Sequence, residues 1–535
     1  MKLKEKQSEQ KLRGAYYTPN EIINFILRWV LREDEPKKIL EPSAGDGRFI
    51  KLADQINTNS EITAIEINEE ESKKIPQNID CKVNVLNMDF YQYYEEFRNT
   101  VSYDAIFGNP PYIRYQFLTE EQREFQSDIL KNNRLRPNKL INSWVAFTVA
   151  SIELLKPGGK FAFVLPTDLL QVSYAKQLRE YLQRSFSELN IVTFKNLIFD
   201  NIQQDVLILL GIKKSSDKEN NSFNLRTLHI NQISELDVDL NEYEFDTYTN
   251  LSSDKWSTLN LDRNFREYYD GELQELSVSI TEFAKIEVGI TTGNNKFFAV
   301  SDEIVRDYEL TQYAIPLLGR SIEVSGVTFT KKDFQKNIKN EKNTWLLDFN
   351  GRKLNERAIE YIKIGEDNKE NQGYKIRIRD VWYEVPSIWS PDAFLLRRIG
   401  QFPKLILNEI GAVSTDTFHR LKLLKDSPYN VYEIIFLFYS SVSLLSIELE
   451  GRRFGGGALE ILPGDMKNVR LPKISYLKNG KQLFNELDEK FRIGESIYDI
   501  VKWVDDQLRA NSDAEIDFKT TFNAWNLKNS ERYRF

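Results

Sequence analysis

Cysteine and histidine are almost absent from this chain of 535 residues, which has one thiol, Cys81, and two imidazoles, His229 and His419. A single cysteine excludes a disulfide framework, and so few sulfur and imidazole ligands exclude a structural zinc site. No metal is expected. A histidine general base shared among several sites is excluded by the same scarcity. Long hydrophobic runs are lacking too. The longest, Ile434 to Ile447, is interrupted by Ser440, Ser441, Ser443 and Ser446; it is too short to span a bilayer and reads as one buried helix. The first residues, Met1-Lys2-Leu3-Lys4-Glu5-Lys6-Gln7, have no apolar stretch of the signal-peptide kind. A soluble, cytoplasmic protein with no membrane partner is expected. Neither internal repeats nor low-complexity tracts interrupt it. Hydrophobic residues make up 41% of the chain, enough for packed cores, and the length suits two or three domains.

What is present is a succession of short apolar runs, each followed by polar residues. Lys38-Ile39-Leu40 leads into Glu41-Pro42-Ser43-Ala44-Gly45-Asp46-Gly47 and then a helical stretch from Arg48. A glycine-bearing loop between strand and helix brings backbone N–H groups close to a ligand. It is not the Gly-x-Gly-x-x-Gly dinucleotide fingerprint. Ile62 to Ile65 ends at Glu66 and Ile67, and an acid at the end of a second strand is where nucleotide-type folds hold a ribose diol. Val83 to Leu86 is followed by Asp89 and Phe90, suited to an adenine amino group and ring, although Asp89 alone also reads as a helix cap. Tyr103 to Gly108 runs into Asn109-Pro110-Pro111-Tyr112. Asn109 offers a side-chain carbonyl, Pro110 a main-chain carbonyl without an N–H, and the prolines stiffen both. Two such acceptors match the two hydrogens of a planar amino group, and Tyr112 adds a flat face for a heterocycle. Taken alone, the tetrapeptide also reads as a rigid turn without chemistry.

In this order the motifs resemble the S-adenosylmethionine-dependent amino-methyltransferases, most closely the gamma-class (Taq-type) N6-adenine DNA methyltransferases of bacterial restriction–modification systems. Gly14 to Pro19 resembles that class's first cofactor segment, with Tyr17 and Thr18 in it, and Asn109 to Tyr112 matches its catalytic motif without a substitution. The resemblance implies a cofactor site built from Tyr17, Thr18, Glu41, Ser43, Ala44, Gly45, Gly47, Glu66, Ile67, Asp89, Phe90, Asn109 and Phe147. It also implies catalysis by Asn109, Pro110, Pro111 and Tyr112, with Tyr112 and Phe199 stacking on a base flipped out of double-stranded DNA. The implied reaction is methyl transfer to N6 of adenine, as the protective partner of a separate restriction endonuclease. N4 of cytosine could use the same acceptors, and a protein-glutamine N5-methyltransferase carries the same tetrapeptide on a chain lacking a large C-terminal half. A degenerate, non-enzymatic DNA-binding protein and a combined restriction–methylation polypeptide are weaker readings, because the motif is intact and no nuclease arrangement is visible.

A net charge of −8 counts at first against a polyanion, but distribution decides more than the total. Acidic residues outnumber basic ones between 201 and 310. After the tetrapeptide come Arg114, Lys131, Arg134, Arg136 and Lys139, and farther on Lys375, Arg377 and Arg379 stand just before Trp382 and Tyr383. Either cluster could be a plain solvated face; beside a base-modifying motif they become DNA-binding candidates. The expected fold is a doubly wound, mostly parallel α/β sheet plus a C-terminal mixed α/β target-recognition domain. The expected boundaries are 1–245 for the catalytic domain, 246–275 for a connection, 276–472 for target recognition and 473–535 for a helical end, in a monomer. Asn20 to Leu31 and Asp488 to Leu508 have amphipathic helical periodicity.

Overall fold

The computed structural model of the protein describes residues 18–31, 37–56, 59–75, 79–138, 141–194, 206–215, 223–237, 243–248, 256–261, 263–454 and 457–533. Two compact units divide the chain at Arg263/Asn264, which falls inside the expected connection.

The first unit is built on nine strands: β1 (Lys38–Glu41), β2 (Glu61–Ile65), β3 (Lys82–Leu86), β4 (Tyr103–Gly108), β5 (Leu155–Pro166), β6 (Phe186–Phe194), β7 (Val206–Lys213), β8 (Asn224–Ile230) and β9 (Asp246–Tyr248). Their order in the sheet is β3-β2-β1-β4-β5-β7-β6-β8-β9. The pairs β1/β2, β2/β3, β1/β4, β4/β5 and β6/β8 are parallel, while β7 runs antiparallel to both β5 and β6, and β9 to β8. The doubly wound, mostly parallel expectation therefore holds. Beyond β3 the chain returns across the sheet to add β4 on the far side of β1. That reversal opens a crevice at the carboxyl ends of β1 and β4, the usual place for a ligand in such sheets.

Apolar side chains cover both faces. On one, the helix Asn20–Leu31, bounded as its periodicity predicts, buries Ile22, Ile23, Ile26, Leu27 and Val30 in a cluster with Phe49, Phe107 and Val164. On the other, Trp144, Phe147 and Val149 of the helix Ser143–Leu154 pack with Phe90, Tyr91, Phe163 and Phe186. Helices on both faces explain why the central strands read as continuous apolar runs rather than as alternating patterns.

The second unit holds a five-stranded sheet in the order Ala284–Val288, Phe418–Leu423, Ala393–Leu396, Leu405–Asn408, Thr328–Phe329, together with smaller sheets of four, three and two strands. Two helix expectations need correction here. Ile434 to Ile447 is a pair of helices, Val431–Phe438 and Ser441–Glu450, bent by 70°. The break lies at Ser440, whose hydroxyl caps the second helix by accepting from the Ser443 N–H; serine competes with the helix for backbone groups. Among the described residues no single helix is long and apolar enough to cross a membrane. Likewise Asp488 to Leu508 is split between the helices Gly480–Ile493 and Ile497–Asn511. Gly494 closes the first with a left-handed φ of 80°, a conformation that suits glycine and ends a helix.

Candidate active site

The loop between β1 and the helix Arg48–Ile56 folds back onto the next strand. The Ala44 N–H donates to the Ile65 carbonyl at 2.9 Å, and the Gly45 N–H donates to Glu66 Oε2 at 2.8 Å. Gly45 has φ 55° and nothing within 4 Å of where a Cβ would sit, so the loop is open on that side. The second Glu66 oxygen accepts from the Asn68 N–H at 2.8 Å, while Asn87 Nδ2 donates to the Glu66 carbonyl at 2.8 Å. Glu66 is therefore fixed by its own neighbours, with Ile67 exposed beside it.

Glu41, at the end of β1, is only 1% exposed, and its Oε2 has no hydrogen-bond partner among the described residues. Burial raises its carboxyl well above the ordinary value, and the nearby carboxylates of Glu66 and Asp46 push in the same direction. The buried Glu41 carboxyl, the Glu66 carboxylate and Asp46, which is paired with Arg48 at 2.9 Å, give the open loop an acidic lining.

Asn109 leaves β4 directly opposite. Its main-chain carbonyl accepts from Ser43 Oγ at 3.0 Å, joining the tetrapeptide to the glycine loop, and its Nδ2 donates to Thr18 Oγ1 at 3.2 Å. Thr18, Ser43, Glu66 and Asn109 thus meet in one place although the sequence spreads them widely. Pro110 is buried and Pro111 half-buried. Ser143 straps the turn down, with Oγ donating to the Pro111 carbonyl and accepting from the Ile113 N–H at 2.9 Å. Ser143 was not visible as a site residue from the sequence, since an isolated serine at the start of a helix carries no signal for a partner so distant.

Tyr112 is oriented differently from a bare stacking plate. Its ring is half-buried between the two core clusters, and its hydroxyl reaches Asn109 Oδ1 at 2.8 Å and the Val164 carbonyl at 3.0 Å. At the third station Asp89 caps the helix Phe90–Phe97, accepting from the Tyr91 N–H at 2.8 Å, so the capping role does apply. Its other oxygen accepts from Gln122 Nε2 at 2.7 Å. The Thr119-x-x-Gln122 pattern reveals the capping box that Gln122 also forms, but not this link to Asp89. Phe90 and Phe147 lie with ring centroids 4.4 Å apart, so those two candidates come together.

Of the basic candidates, Arg114, Lys131, Arg134, Arg136, Lys375 and Arg377 are exposed. Arg379 is turned inward, donating to the Thr291 and Thr292 carbonyls at 3.0 and 2.8 Å. Tyr17, Lys139 and Phe199 lie outside the described residues.

A mixed α/β domain with this ligand crevice, followed by a second unit of several small sheets, defines the class of chain to which known proteins can be compared. Residues 24–199 match the family model "Eco57I restriction-modification methylase", and residues 253–509 match "Type II methyltransferase M.Eco57I, C-terminal domain". The type II methyltransferase M.AccI of Acinetobacter calcoaceticus is 23% identical over 515 residues, covering 89% of this chain and 92% of that protein. M.HincII of Haemophilus influenzae is 28% identical over 216 residues, 40% of this chain and 39% of its own length. In fold, the protein of the DrdV–DNA complex superposes with a TM-score of 0.54 at 12% identity, over 92% of this chain and 58% of that one. Over most of its length the chain is thus similar to type II restriction–modification methyltransferases.

Proposed function

We propose that the protein transfers a methyl group from S-adenosylmethionine to N6 of an adenine flipped out of double-stranded DNA, as the protective methylase of a restriction–modification pair. The single observation that carries this reading is the hydrogen bond of Ser43 Oγ to the Asn109 carbonyl at 3.0 Å, which sets the two amine acceptors against the open glycine loop. The residues around that loop fit the cofactor. Glu41 keeps a buried oxygen without a partner among the described residues, Gly45 leaves room beside it, and the acids Glu41, Asp46 and Glu66 together suit a cationic group. When bound, the cofactor supplies an electrophilic methyl on a cationic sulfur.

The chain's own residues do the rest. The lone pair of an adenine N6 is delocalised into the ring, and the base is unreachable while stacked, so extrusion costs a few kcal/mol. Asn109 Oδ1 and the Pro110 carbonyl accept the two amine hydrogens and favour a pyramidal nitrogen. As that nitrogen becomes positive, both acceptors bind it more strongly, which lowers the barrier. In the free protein Asn109 Oδ1 already holds the Tyr112 hydroxyl, so the amine replaces that hydroxyl and the tyrosine ring turns to the base. Stacking on the ring returns about 1–3 kcal/mol of the extrusion cost. The amine loses its proton only after alkylation, so no strong base is required.

Incubation of the protein with duplex DNA and S-adenosylmethionine, followed by mass spectrometry of the nucleosides, tests the reading. N6-methyladenine is expected, made by wild type and lost in Asn109→Ala. N4-methylcytosine would keep the acceptors and replace the base, and an unmodified duplex would refute the reaction.

A further inference from the structure

Tyr374 and Ile378 stand out on the surface of the second unit, 75% and 69% exposed. They are the first residue and the C-cap of the short helical turn Tyr374–Arg377. Four positions apart, they lie on one edge of that turn, with β-carbons about 5–6 Å from each other. Lys375 and Arg377 come between them in the chain and are exposed too, while Ile376 is fully buried. From Asn371 to Arg379 there are three cations and no acid, in a protein with a net charge of −8.

The turn is fastened from below at three points. Before its start, the Glu370 carbonyl accepts from Asn294 Nδ2 at 3.1 Å, and Glu370 Oε1 accepts from Lys296 Nζ at 2.6 Å. In its middle, Ile376 joins the apolar cluster of Ile290, Phe297 and Phe298. It packs so closely on Gly293 that a β-carbon there would lie 2.7 Å from Ile376 Cγ1. Past its end, Arg379 Nη2 holds the Thr291 and Thr292 carbonyls, and the guanidinium lies 6.0 Å from the centre of the Phe298 ring. Arg379 is thus the strut that aims its neighbours outward. Bracing a pair of large apolar side chains toward water adds nothing to a core; it prepares a contact.

Resting on the DNA-methylase reading above, we infer that Tyr374 and Ile378 form a wedge that enters one base step of the duplex and kinks it, with Lys375 and Arg377 seated on the phosphates beside it. Apolar side chains that part a step unstack it and bend the helix axis by about 20–90°. The tyrosine ring replaces part of the stacking that is broken, and the two cations displace counterions. Two side chains are too small a face for a second copy of this chain, which would need about 800 Å² from each partner. A single base step admits such an edge, and the charge of the turn suits a polyanion. Because the stiffness of a step depends on its sequence, the wedge favours a pyrimidine–purine step where it enters, without reading a base edge.

The test uses a duplex selected from a random-sequence library by binding to the full chain without cofactor, labelled at both ends so that fluorescence transfer reads its bend. Wild type should bend it, and the selected sequences should share a pyrimidine–purine step. Tyr374→Ala with Ile378→Ala should lose the bend, relax that step and weaken binding by about tenfold to a hundredfold with an unchanged salt slope. Tyr374→Phe with Ile378→Leu should keep the bend. Lys375→Ala with Arg377→Ala should lower the slope of log affinity against log salt by about 2, while the duplex that is bound stays bent. A straight duplex on wild type, or an unchanged bend in the double alanine variant, overturns the wedge. So does self-association of the free protein in sedimentation that the same variant abolishes, which would assign the pair to a second copy. Bending needs no methyl transfer. A bent duplex left unmethylated when S-adenosylmethionine is added would therefore refute the methylase reading and uphold the wedge, and a methylated duplex that never bends would do the reverse.

Discussion

The Tyr112 hydroxyl lies 2.8 Å from Asn109 Oδ1 and 3.0 Å from the Val164 carbonyl, so its one proton is shared between two acceptors. The side chain proposed to stack on the target base therefore occupies the acceptor proposed to hold that base. Removing the hydroxyl while keeping the ring should preserve methyl transfer in Tyr112→Phe and lower stability by about 0.5–1.5 kcal/mol, the worth of one ordinary hydrogen bond. Tyr112→Ala should cut turnover by about tenfold to a hundredfold through lost stacking. Single-turnover kinetics and the fluorescence of a base analogue at the target position report both. Transfer abolished in Tyr112→Phe would mean that the hydroxyl acts in the reaction and is not merely a tenant.

Glu41 separates stability from cofactor binding. Burial, and then the Glu66 and Asp46 carboxylates, keep its carboxyl protonated above the ordinary carboxylate range in the folded protein. The unfolded chain ionises it at the ordinary value, so between the two pKa values the folded state binds more protons. The stability this contributes is full at low pH and lost as pH rises through the folded value. A cationic cofactor reverses the preference by favouring the carboxylate. Glu41→Gln should therefore raise Tm over wild type at about pH 8, with a smaller gain at about pH 5. It should also weaken S-adenosylmethionine by about tenfold to a hundredfold. Scanning and titration calorimetry measure the pair, and an unchanged cofactor Kd would remove Glu41 from the site.

Glu66 makes a different demand. Both its oxygens accept backbone N–H groups, from Gly45 and Asn68, so the acid proposed to hold a ribose also shapes the loop. Glu66→Ala should raise the cofactor Kd by about tenfold to a hundredfold and leave duplex affinity within error. A parallel loss of DNA binding, seen by fluorescence anisotropy, would show that the loop supports more than the cofactor.

How far the residues announced this arrangement depends on the range of each interaction. Strands β1 to β4 and the corner at Glu41, Glu66 and Asn109 could be read because each motif is local: an apolar run, then glycine, acid or proline at its end. The loop–tetrapeptide contact, Ser43 to Asn109, follows from the strand order β1-β4. The braces could not be read. Ser143 and Gln122 act on residues 32 and 33 positions away, and neither sits in a pattern that names its partner. Helix ends failed for a related reason, since Ser440 and Gly494 sit inside apolar periodicity that continues across them. Arg379 looked like a surface cation because composition does not tell which guanidinium will turn back onto Thr291 and Thr292.

Asp505 gives the second unit its own pH dependence. Burial pushes its carboxyl up from 3.8 to about 8, partly offset by the Ser441 N–H, which donates to Oδ1 at 3.0 Å. Stability from the neutral form is complete below the unfolded value of 3.8 and is progressively lost as pH rises to about 8. Asp505→Asn, uncharged throughout, should lose less stability over that interval than wild type. Urea unfolding at several pH values checks it, and parallel slopes for the two proteins would contradict the assignment.

Arg532 should be the costliest single truncation in the second unit. Its side chain and that of Glu448 are each 1% exposed, paired at 2.7 Å through Nε and again at 2.8 Å through Nη2. The remaining donors go to the carbonyls of Gly400, Gln401 and Gly457. Cutting the fork away in Arg532→Ala strands a buried carboxylate and takes the donor from the Gly400 and Gly457 carbonyls, while that of Gln401 keeps Asn529 Nδ2 at 2.8 Å, so a loss of about 3–5 kcal/mol is expected in urea unfolding. Replacing both partners, Glu448→Leu with Arg532→Leu, removes the uncompensated charge and should recover part of that loss. Asn529 Nδ2 also donates to Glu448 Oε1, at 2.8 Å, and limits the penalty only slightly because an amide carries no charge. A loss below about 1 kcal/mol in Arg532→Ala would mean that water reaches the pair, since exposed ion pairs rarely contribute more.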